Sequence, residues 1–381
     1  MDFSFSDEQL LLEATTKRFL SSEYGFERRS KILRSEERWS RDVWERLAEL
    51  GLLSLNIPEE DGGTIDPVAA MLVSQALGAG LLLEPYHSSA LVATHAIVRL
   101  GSALQRARWL PDLASGRHVA VLAHDEPRAV LDPTRLSTRA ARVPQGWALS
   151  GRKSAIYHAP IADLFLVSAR LDGGETALFA LPASLAGIER RDFRTVDGQC
   201  AADLHFADVV VSSDACLHTG ADRELIEVID YGIAMLCAEA LGCLGRVLEA
   251  TIEYSRTRTQ FGVPIGSFQA LRHRMADMLI QVEQARSMLY LATTRALDSD
   301  ARSRRAAVSG AKAFIGRAAR HVGQEAVQLH GGMGMTDELD VSHHFKRLLA
   351  FELRFGTTDE HLELYRHSAR PKGRTAQSFG V

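Results

Sequence analysis

The spacing of apolar residues changes period twice along this chain, and that change sets the order of its parts. The first third repeats with a helical period. Ser6 with Gln9 has the form of a capping box, in which the serine hydroxyl accepts from the N3 amide and the glutamine reaches back. Leu10, Leu11 and Ala14 follow on one face. Ser40 opens a second helix with Val43, Leu47 and Leu50 turned inward, and Gly51 is placed as its left-handed stop. Further helices are predicted over about 67–82, 88–100 and 103–114.

Near Arg117 the period falls to two. Runs rich in valine, phenylalanine, leucine and aromatics occupy 119–124, 147–158, 163–170, 177–183 and 202–212. The turn signals Pro144-Gln145-Gly146, Asp172-Gly173-Gly174 and Asp197-Gly198 separate them. Short strands so spaced predict a β-sandwich or barrel, not βαβ units. No G-x-G-x-x-G follows a strand, which argues against a Rossmann dinucleotide fold.

After about Arg223 the helical period returns. Leu271, Met275, Met278, Val282, Ala285, Leu289 and Ala292 step by 4, 3, 4, 3, 4 and 3, a narrow seam along one long helix. Leu241, Leu244, Leu248 and Ile252 form a second seam, with Gly262 and Pro264 as its stop, and Phe314, Ala318, Val322, Ala326 and Leu329 form a third. Long seams side by side predict a four-helix bundle. The expected fold is therefore an α+β chain of three domains: an all-α domain over 1–118, a β-barrel or sandwich over 119–225, and a helix bundle over 226–381.

Composition narrows the function classes. With 46% hydrophobic and 24% charged residues in 381, the chain has material for large cores. The 44 basic and 48 acidic residues leave a net charge of −4, with no basic excess to serve nucleic acid. No apolar run reaches about 18 residues, so no membrane span is expected. The start lacks a basic segment followed by an apolar one, which makes the cytoplasm the default compartment. Cys200, Cys216, Cys237 and Cys243 show neither disulfide-framework nor zinc spacing. His343-His344 is read as structural, because adjacent helical residues point about 100° apart.

Two segments carry chemistry. The first is Tyr254-Ser255-Arg256-Thr257-Arg258-Thr259-Gln260-Phe261-Gly262-Val263-Pro264-Ile265, followed by Phe268-Gln269. It offers a cation suited to a bidentate phosphate contact, an aromatic face and free amides. The second is Gln328-Leu329-His330-Gly331-Gly332-Met333-Gly334, a helix end at which backbone can approach a ligand closely.

Together, in this domain order, the segments resemble the acyl-CoA dehydrogenase family. Leu50-Gly51 followed by Pro58-Glu59-Glu60-Asp61-Gly62-Gly63 is similar to the family's N-terminal motif. Leu83-Glu84-Pro85-Tyr86, Leu236-Cys237-Ala238-Glu239-Ala240 and His344-Phe345-Lys346-Arg347-Leu348 resemble the pimeloyl-CoA dehydrogenase small-subunit branch. The resemblance implies FAD at a subunit interface, an acyl-CoA substrate, and an electron-transfer flavoprotein or similar acceptor. It also implies a homotetramer, or a heterotetramer with a paralogue. It gives Arg258 the FAD pyrophosphate, with Gln260 and Phe261 beside it. Phe268 and Gln269 would lie near the adenosine end, and Gln328, Gly331 and Gly332 would supply backbone contacts to that half of the cofactor.

Two departures from the family pattern bear on activity. The middle domain's T-E-P-x-A-G-S-type loop reads His124-Asp125-Glu126-Pro127-Arg128-Ala129-Val130, and the later W-I-T-like segment reads Ile156-Tyr157-His158. The family's Y-E-G-T base motif reads Arg354-Phe355-Gly356-Thr357, with a phenyl ring at the glutamate position. The alternative position for the base, on the helix before the first segment, falls at Gly232. Asp230, two residues earlier, is then the candidate base for taking the proton α to a thioester, while Asp359 and Glu360 read as an ordinary helix start. The leading expectation is FAD-dependent oxidation of an acyl-CoA to its 2-enoyl-CoA. The rival is a non-catalytic subunit that completes the FAD sites of a catalytic paralogue in an α2β2 assembly, and a third class is a flavin monooxygenase on the same fold.

Overall fold

A computed structural model describes residues 5–127 and 135–369. Helix α1 (Asp7–Glu23) starts at the Ser6–Gln9 capping box, with both reciprocal hydrogen bonds formed. Helices α2 (Phe26–Arg34) and α3 (Arg41–Glu49) follow, the latter capped by Ser40 and closed by Gly51 at φ +74°. Asp66 caps α4 (Pro67–Ala79) by accepting from the Val68 and Ala69 amides. The segment expected as one helix from residue 88 begins instead as a buried π-helix, Tyr86–Ala93, and continues as α5 (Thr94–Leu100). The wider π turn is a form found often at functional sites. Helix α6 (Ala103–Ala114) closes this domain.

The middle domain is one eight-stranded sheet. Its strands are β1 (Ala120–Ala123), β2 (Arg139–Val143), β3 (Gly146–Tyr157), β4 (Leu164–Leu171), β5 (Thr176–Pro182), β6 (Ile188–Arg194), β7 (Cys200–Val211) and β8 (Cys216–Thr219). The order is β6-β7-β3-β2-β4-β5-β8, and β1 and β2 share one side of β4 at successive positions, both parallel to it. The other pairs are antiparallel. The β3–β7 register shifts between Lys153 and Ile156, with Ala155 at φ +53°. Such a bulge re-aims the residues that follow it; here they are Ile156-Tyr157-His158. Strands β2, β6 and β8 lie outside the runs expected from sequence.

Helix α7 (Asp222–Thr257) is the axis of the C-terminal domain. It is long and apolar enough to meet a membrane-span test, but 89% of its apolar window is buried inside the protein, which marks it as a core helix. It ends at Thr257, before the expected stop at Gly262, and gives way to a hairpin of β9 (Thr259–Gln260) and β10 (Val263–Pro264). Helices α8 (Gln269–Arg295) and α9 (Ala301–His330) pack against α7 and against each other, with Met278, Val282, Ala285, Leu289 and Ala292 of the seam buried. Helices α10 (Asp340–Leu353) and α11 (Thr358–Ala369) cover α9. Asp359 and Glu360 sit in the first turn of α11, as expected of a helix start.

The N- and C-terminal domains are joined by close helix packing. A Cβ on Gly78 of α4 would overlap the Glu239 carbonyl of α7, and one on Gly242 of α7 would overlap the Gln75 carbonyl of α4. Only glycine permits that approach. Gly242→Ala is therefore expected to destabilise the chain by about 1–3 kcal/mol or more through overpacking. Gly245 lies on the same helix, and a Cβ there would meet nothing within 4 Å. Gly245→Ala should be neutral or stabilise by up to about 1 kcal/mol. Thermal or urea unfolding of the two variants measures the contrast.

Candidate functional site

The eight residues assigned to FAD lie at one end of the C-terminal bundle, all of them exposed. The end of α7 delivers Arg258, whose guanidinium has no hydrogen bond or ion pair among the described residues. The β9–β10 hairpin then carries Gln260 and Phe261, the latter 91% exposed at φ +53°. Phe268 meets Phe261 edge-to-face at 6.2 Å, and Gln269 opens α8. Gln328 and the Gly331-Gly332 turn lie at the end of α9, beside the same helix end: Tyr254 stacks on His330 at 4.4 Å and donates to its carbonyl at 3.5 Å. Gly331 has φ +61°, and a Cβ at Gly331 or Gly332 would meet nothing within 4 Å. A bare cation, two exposed aromatic rings and open glycine backbone fit the phosphate and adenosine half of a dinucleotide cofactor. The exposure of every one of them fits a site that another subunit completes.

Elsewhere, where the π-helix, the sheet and the end of α10 meet, lies a cavity of about 330 Å³. Its walls include His87 and Val92 of the π-helix, Leu122 of β1, His124 and Asp125 after it, Ile156 and Tyr157 after the bulge, and Leu353-Arg354-Phe355. Ile156 and Tyr157 of the Ile156-Tyr157-His158 segment and the first part of the departed loop thus line one space with the segment that departs from the base motif. Arg128, Ala129 and Val130 of that loop lie outside the described residues.

Within the cavity no carboxylate stands at either position where the family places its base. Phe355, at φ +55°, packs edge-on against His87 at 5.8 Å, and its ring end lies 3.7 Å from where a Gly232 Cβ would be. The two positions therefore converge in space, and here they hold a phenyl ring and a hydrogen atom. The segment is pinned from below by Lys312, a fully buried ammonium that donates to the carbonyls of Phe351 and Gly356, both at 2.9 Å. His361 donates to the Phe355 carbonyl at 2.8 Å.

Asp230 is not in the cavity. It is fully buried on the side of α7 that faces α9, where Arg304 contacts it at 3.1 Å and Arg305 binds its other oxygen. Burial raises its carboxyl, against the pull of Arg305 and Arg304. A carboxylate with both oxygens engaged by guanidinium groups is a structural ion pair, and this geometry argues against the basic role expected for it. Sequence placed it on α7 but gave no measure of which side of the helix it faces.

His87 is not legible as a site residue in the sequence, because no motif marks it, whereas His158 ends the Ile156-Tyr157-His158 segment. His87 donates from Nε2 to the Gly232 carbonyl at 2.8 Å and accepts at Nδ1 from Arg354 at 2.9 Å. Burial, then the Arg354 charge, lowers it to about 3 despite the carbonyl. His158 donates to the Leu83 carbonyl at 3.0 Å and accepts from Ser88 at 2.7 Å. Both rings are neutral at pH 7 with both nitrogens committed, so neither is a free base.

Family models match throughout: the acyl-CoA dehydrogenase N-terminal domain over residues 6–117, the middle domain over 122–209 and the C-terminal domain over 224–368. The acyl-CoA dehydrogenase FadE27 of Mycobacterium tuberculosis is 30% identical over 340 residues, covering 87% of this chain and 88% of that protein. The chain belongs to the acyl-CoA dehydrogenase family. This is a family of oxidoreductases acting on CH–CH bonds. The ChsE4-ChsE5 complex from Mycobacterium tuberculosis matches with a TM-score of 0.89 at 28% identity, covering 97% of this chain and 100% of that one. The FAD complex of PigA matches with a TM-score of 0.88 at 25% identity, over 97% and 99%.

Beneath the cavity, Lys153 and Glu126 form a buried pair at 2.8 Å. Glu126 also accepts from the Ser137 and Thr138 amides at 2.6 and 3.0 Å, and Lys153 donates to the His124 carbonyl at 3.0 Å. Burial alone would raise Glu126, but the Lys153 charge and these hydrogen bonds hold it down at about 2. Glu126→Gln should cost about 3–5 kcal/mol at pH 7, because a buried ammonium loses its partner. A carboxyl held below its ordinary value of 4.5 stabilises the fold above that pH and loses this effect as pH falls toward 2. The stability gap between the wild type and Glu126→Gln should therefore narrow below pH about 4.5. Urea midpoints measured from pH 7 to pH 3 check it.

Proposed function

We propose that this chain is a subunit of an FAD-dependent acyl-CoA dehydrogenase that completes the cofactor site of a catalytic paralogue and supplies no base itself. The observation that carries this reading is the convergence of Phe355 and Gly232 at the one place where a family base would stand. A phenyl ring and a glycine cannot take the proton α to a thioester. The assembly would oxidise an acyl-CoA to the 2-enoyl-CoA, FAD when bound accepting the hydride from Cβ. This chain would offer the Arg258 fork to the pyrophosphate with Gln260 and Phe261 beside it, Phe268 and Gln269 to the adenosine end, and Gln328, Gly331 and Gly332 as close backbone contacts to that half of the cofactor. The α2β2 arrangement follows the resemblance to the pimeloyl-CoA dehydrogenase small-subunit branch. An electron-transfer flavoprotein is the proposed acceptor, and the cytoplasm the proposed compartment.

A second reading keeps this chain catalytic alone. Asp125 favours it, as the one carboxylate among the described residues lining the cavity. Burial raises its carboxyl, with Lys153 and Arg354 opposing.

The flavin spectrum separates the two. Under the first reading, the chain purified alone shows no acyl-CoA-dependent bleaching, and co-expression with a paralogue yields a yellow complex that bleaches anaerobically. Bleaching by the chain alone that Asp125→Asn abolishes would establish the second. In either assembly, Arg258→Ala should lower flavin retention on dialysis by roughly tenfold or more, the effect of one charge-assisted bond to phosphate. Arg258→Lys should restore it only in part, because the ammonium keeps the charge and loses the fork. The flavin-to-protein ratio measures both.

A further inference from the structure

Glu84, in the Leu83-Glu84-Pro85-Tyr86 segment ahead of the π-helix, is a buried carboxylate that makes no ion pair among the described residues. The other buried carboxylates each have a cation: Lys153 for Glu126, Arg99 for Glu227, Arg304 for Asp230, and Arg347 for both Asp197 and Glu239. Glu84 has neutral partners instead. Its Oε1 accepts from the Ser40 amide at 3.1 Å, and the Tyr24 hydroxyl also bonds the carboxylate. Its Oε2 is buried with no partner among the described residues.

Glu84 lines a small chamber of about 20 Å³ where the three domains meet, a volume that admits one water. Ser74 of α4, Tyr86 of the π-helix and Gln199 beside β7 line the same chamber, and the Ser74 Oγ, the Tyr86 hydroxyl and the Gln199 Oε1 are likewise buried without partners. A hydroxyl donates or accepts according to how it turns. Ser74 and Tyr86 can therefore meet either form of Glu84, as donors to a carboxylate or as acceptors from a carboxylic acid. Gln199 Oε1 only accepts, and so suits the acid. Burial pushes the Glu84 carboxyl up to about 7, against the hydrogen bonds from its own amide, the Tyr24 hydroxyl and the Ser40 amide.

The groups around the chamber are otherwise committed. Burial raises the Tyr24 and Tyr86 hydroxyls far above their ordinary value, so both stay protonated. Burial lowers His87 and His158 to about 3, so both stay neutral. On α7, Glu239 is paired with Arg347 of α10, which also holds Asp197. Arg29 of α2 turns to the Leu81 carbonyl and to His343.

We infer that Glu84 is the proton-binding group of a pH-sensitive joint between the three domains: as the acid it is a neutral, hydrogen-bonded member of the chamber, and as the carboxylate it is an unpaired buried charge that loosens the contact. The one step is exchange of a proton with water, and no other bond changes. The joint bears on the large cavity, because His87 lines both spaces and His158, in the chamber wall, accepts from Ser88 of the cavity wall. That wall is tighter below pH 7 than above it. The inference is independent of which subunit holds the catalytic base.

A carboxyl raised from 4.5 to about 7 on folding stabilises the fold fully below pH 4.5 and loses this effect as pH rises to about 7. Urea unfolding of the full chain and of Glu84→Gln from pH 4.5 to pH 8.5 tests it. Glutamine keeps the shape and stands in for the acid, and every other titrating group is common to both. The unfolding constant of the wild type, relative to Glu84→Gln, should rise by up to about tenfold per pH unit between about 4.5 and 7 and then level off. An infrared titration of the wild type keeps the test available if Glu84→Gln fails to fold. A protonated-carboxyl carbonyl stretch should be present at pH 6 and vanish with a midpoint near 7. Asp125→Asn should leave that band in place, which separates it from the other raised carboxyl near the cavity. Tyr86→Phe should raise its midpoint, because the ionised form loses a donor. A relative unfolding constant that is flat across this range, a band absent at pH 6, or a midpoint unmoved in Tyr86→Phe overturns the inference.

Discussion

Arg347 is the side chain at which the three domains are tied together. From α10 it reaches Asp197 of the sheet domain at 2.7 Å, Glu239 of α7 at 2.5 Å and the Leu82 carbonyl of the N-terminal domain at 3.0 Å. All of these groups are buried. Removing one partner would strand a charge out of water, a cost of several kcal/mol. The cluster therefore acts as a registration pin: apolar surfaces slide at little cost, but two carboxylates and one guanidinium have a single satisfactory arrangement. Arg29 extends the same cluster by donating to the Leu81 carbonyl at 2.9 Å and contacting His343 at 3.2 Å. The cavity is built of elements from all three domains, so its shape depends on this registration and on the glycine contact between α4 and α7.

The large elements were legible because they are repetitive. A seam stepping by fours and threes has one helical solution, and the Ser6, Ser40 and Gly51 signals act within a few residues of chain. What escaped was either polar or non-periodic. Strand β6, Ile188-Glu189-Arg190-Arg191-Asp192-Phe193-Arg194, has no alternation because almost all of it faces water at the edge of the sheet. The π-helix keeps its apolar residues buried on every side, and a wider turn leaves no distinct mark in such a run.

The site divides along the same line. The Arg258 and Gly331 segments were readable as motifs since their residues are contiguous, and the structure gathers them at one helix end. The cavity was not readable as one space: the Tyr157 and Arg354 segments stood out singly as departures, but His87 did not, and no local spacing relates the three stretches. Asp230 shows the limit most directly. Two residues along a helix is about 200° of rotation, enough to carry a carboxylate from the wall of a cavity to an ion pair on the opposite side.

The charged edge of the sheet has a consequence for how the chain can meet others. An unpaired strand invites addition of another strand, and a run of charged side chains on it discourages that pairing. With β6 so protected, that edge of the sheet is a poor template for self-templated growth. At the helical end Phe261 and Phe268 stand open, and a contact through one self-complementary patch closes into a small particle of defined size instead of propagating into a fibre.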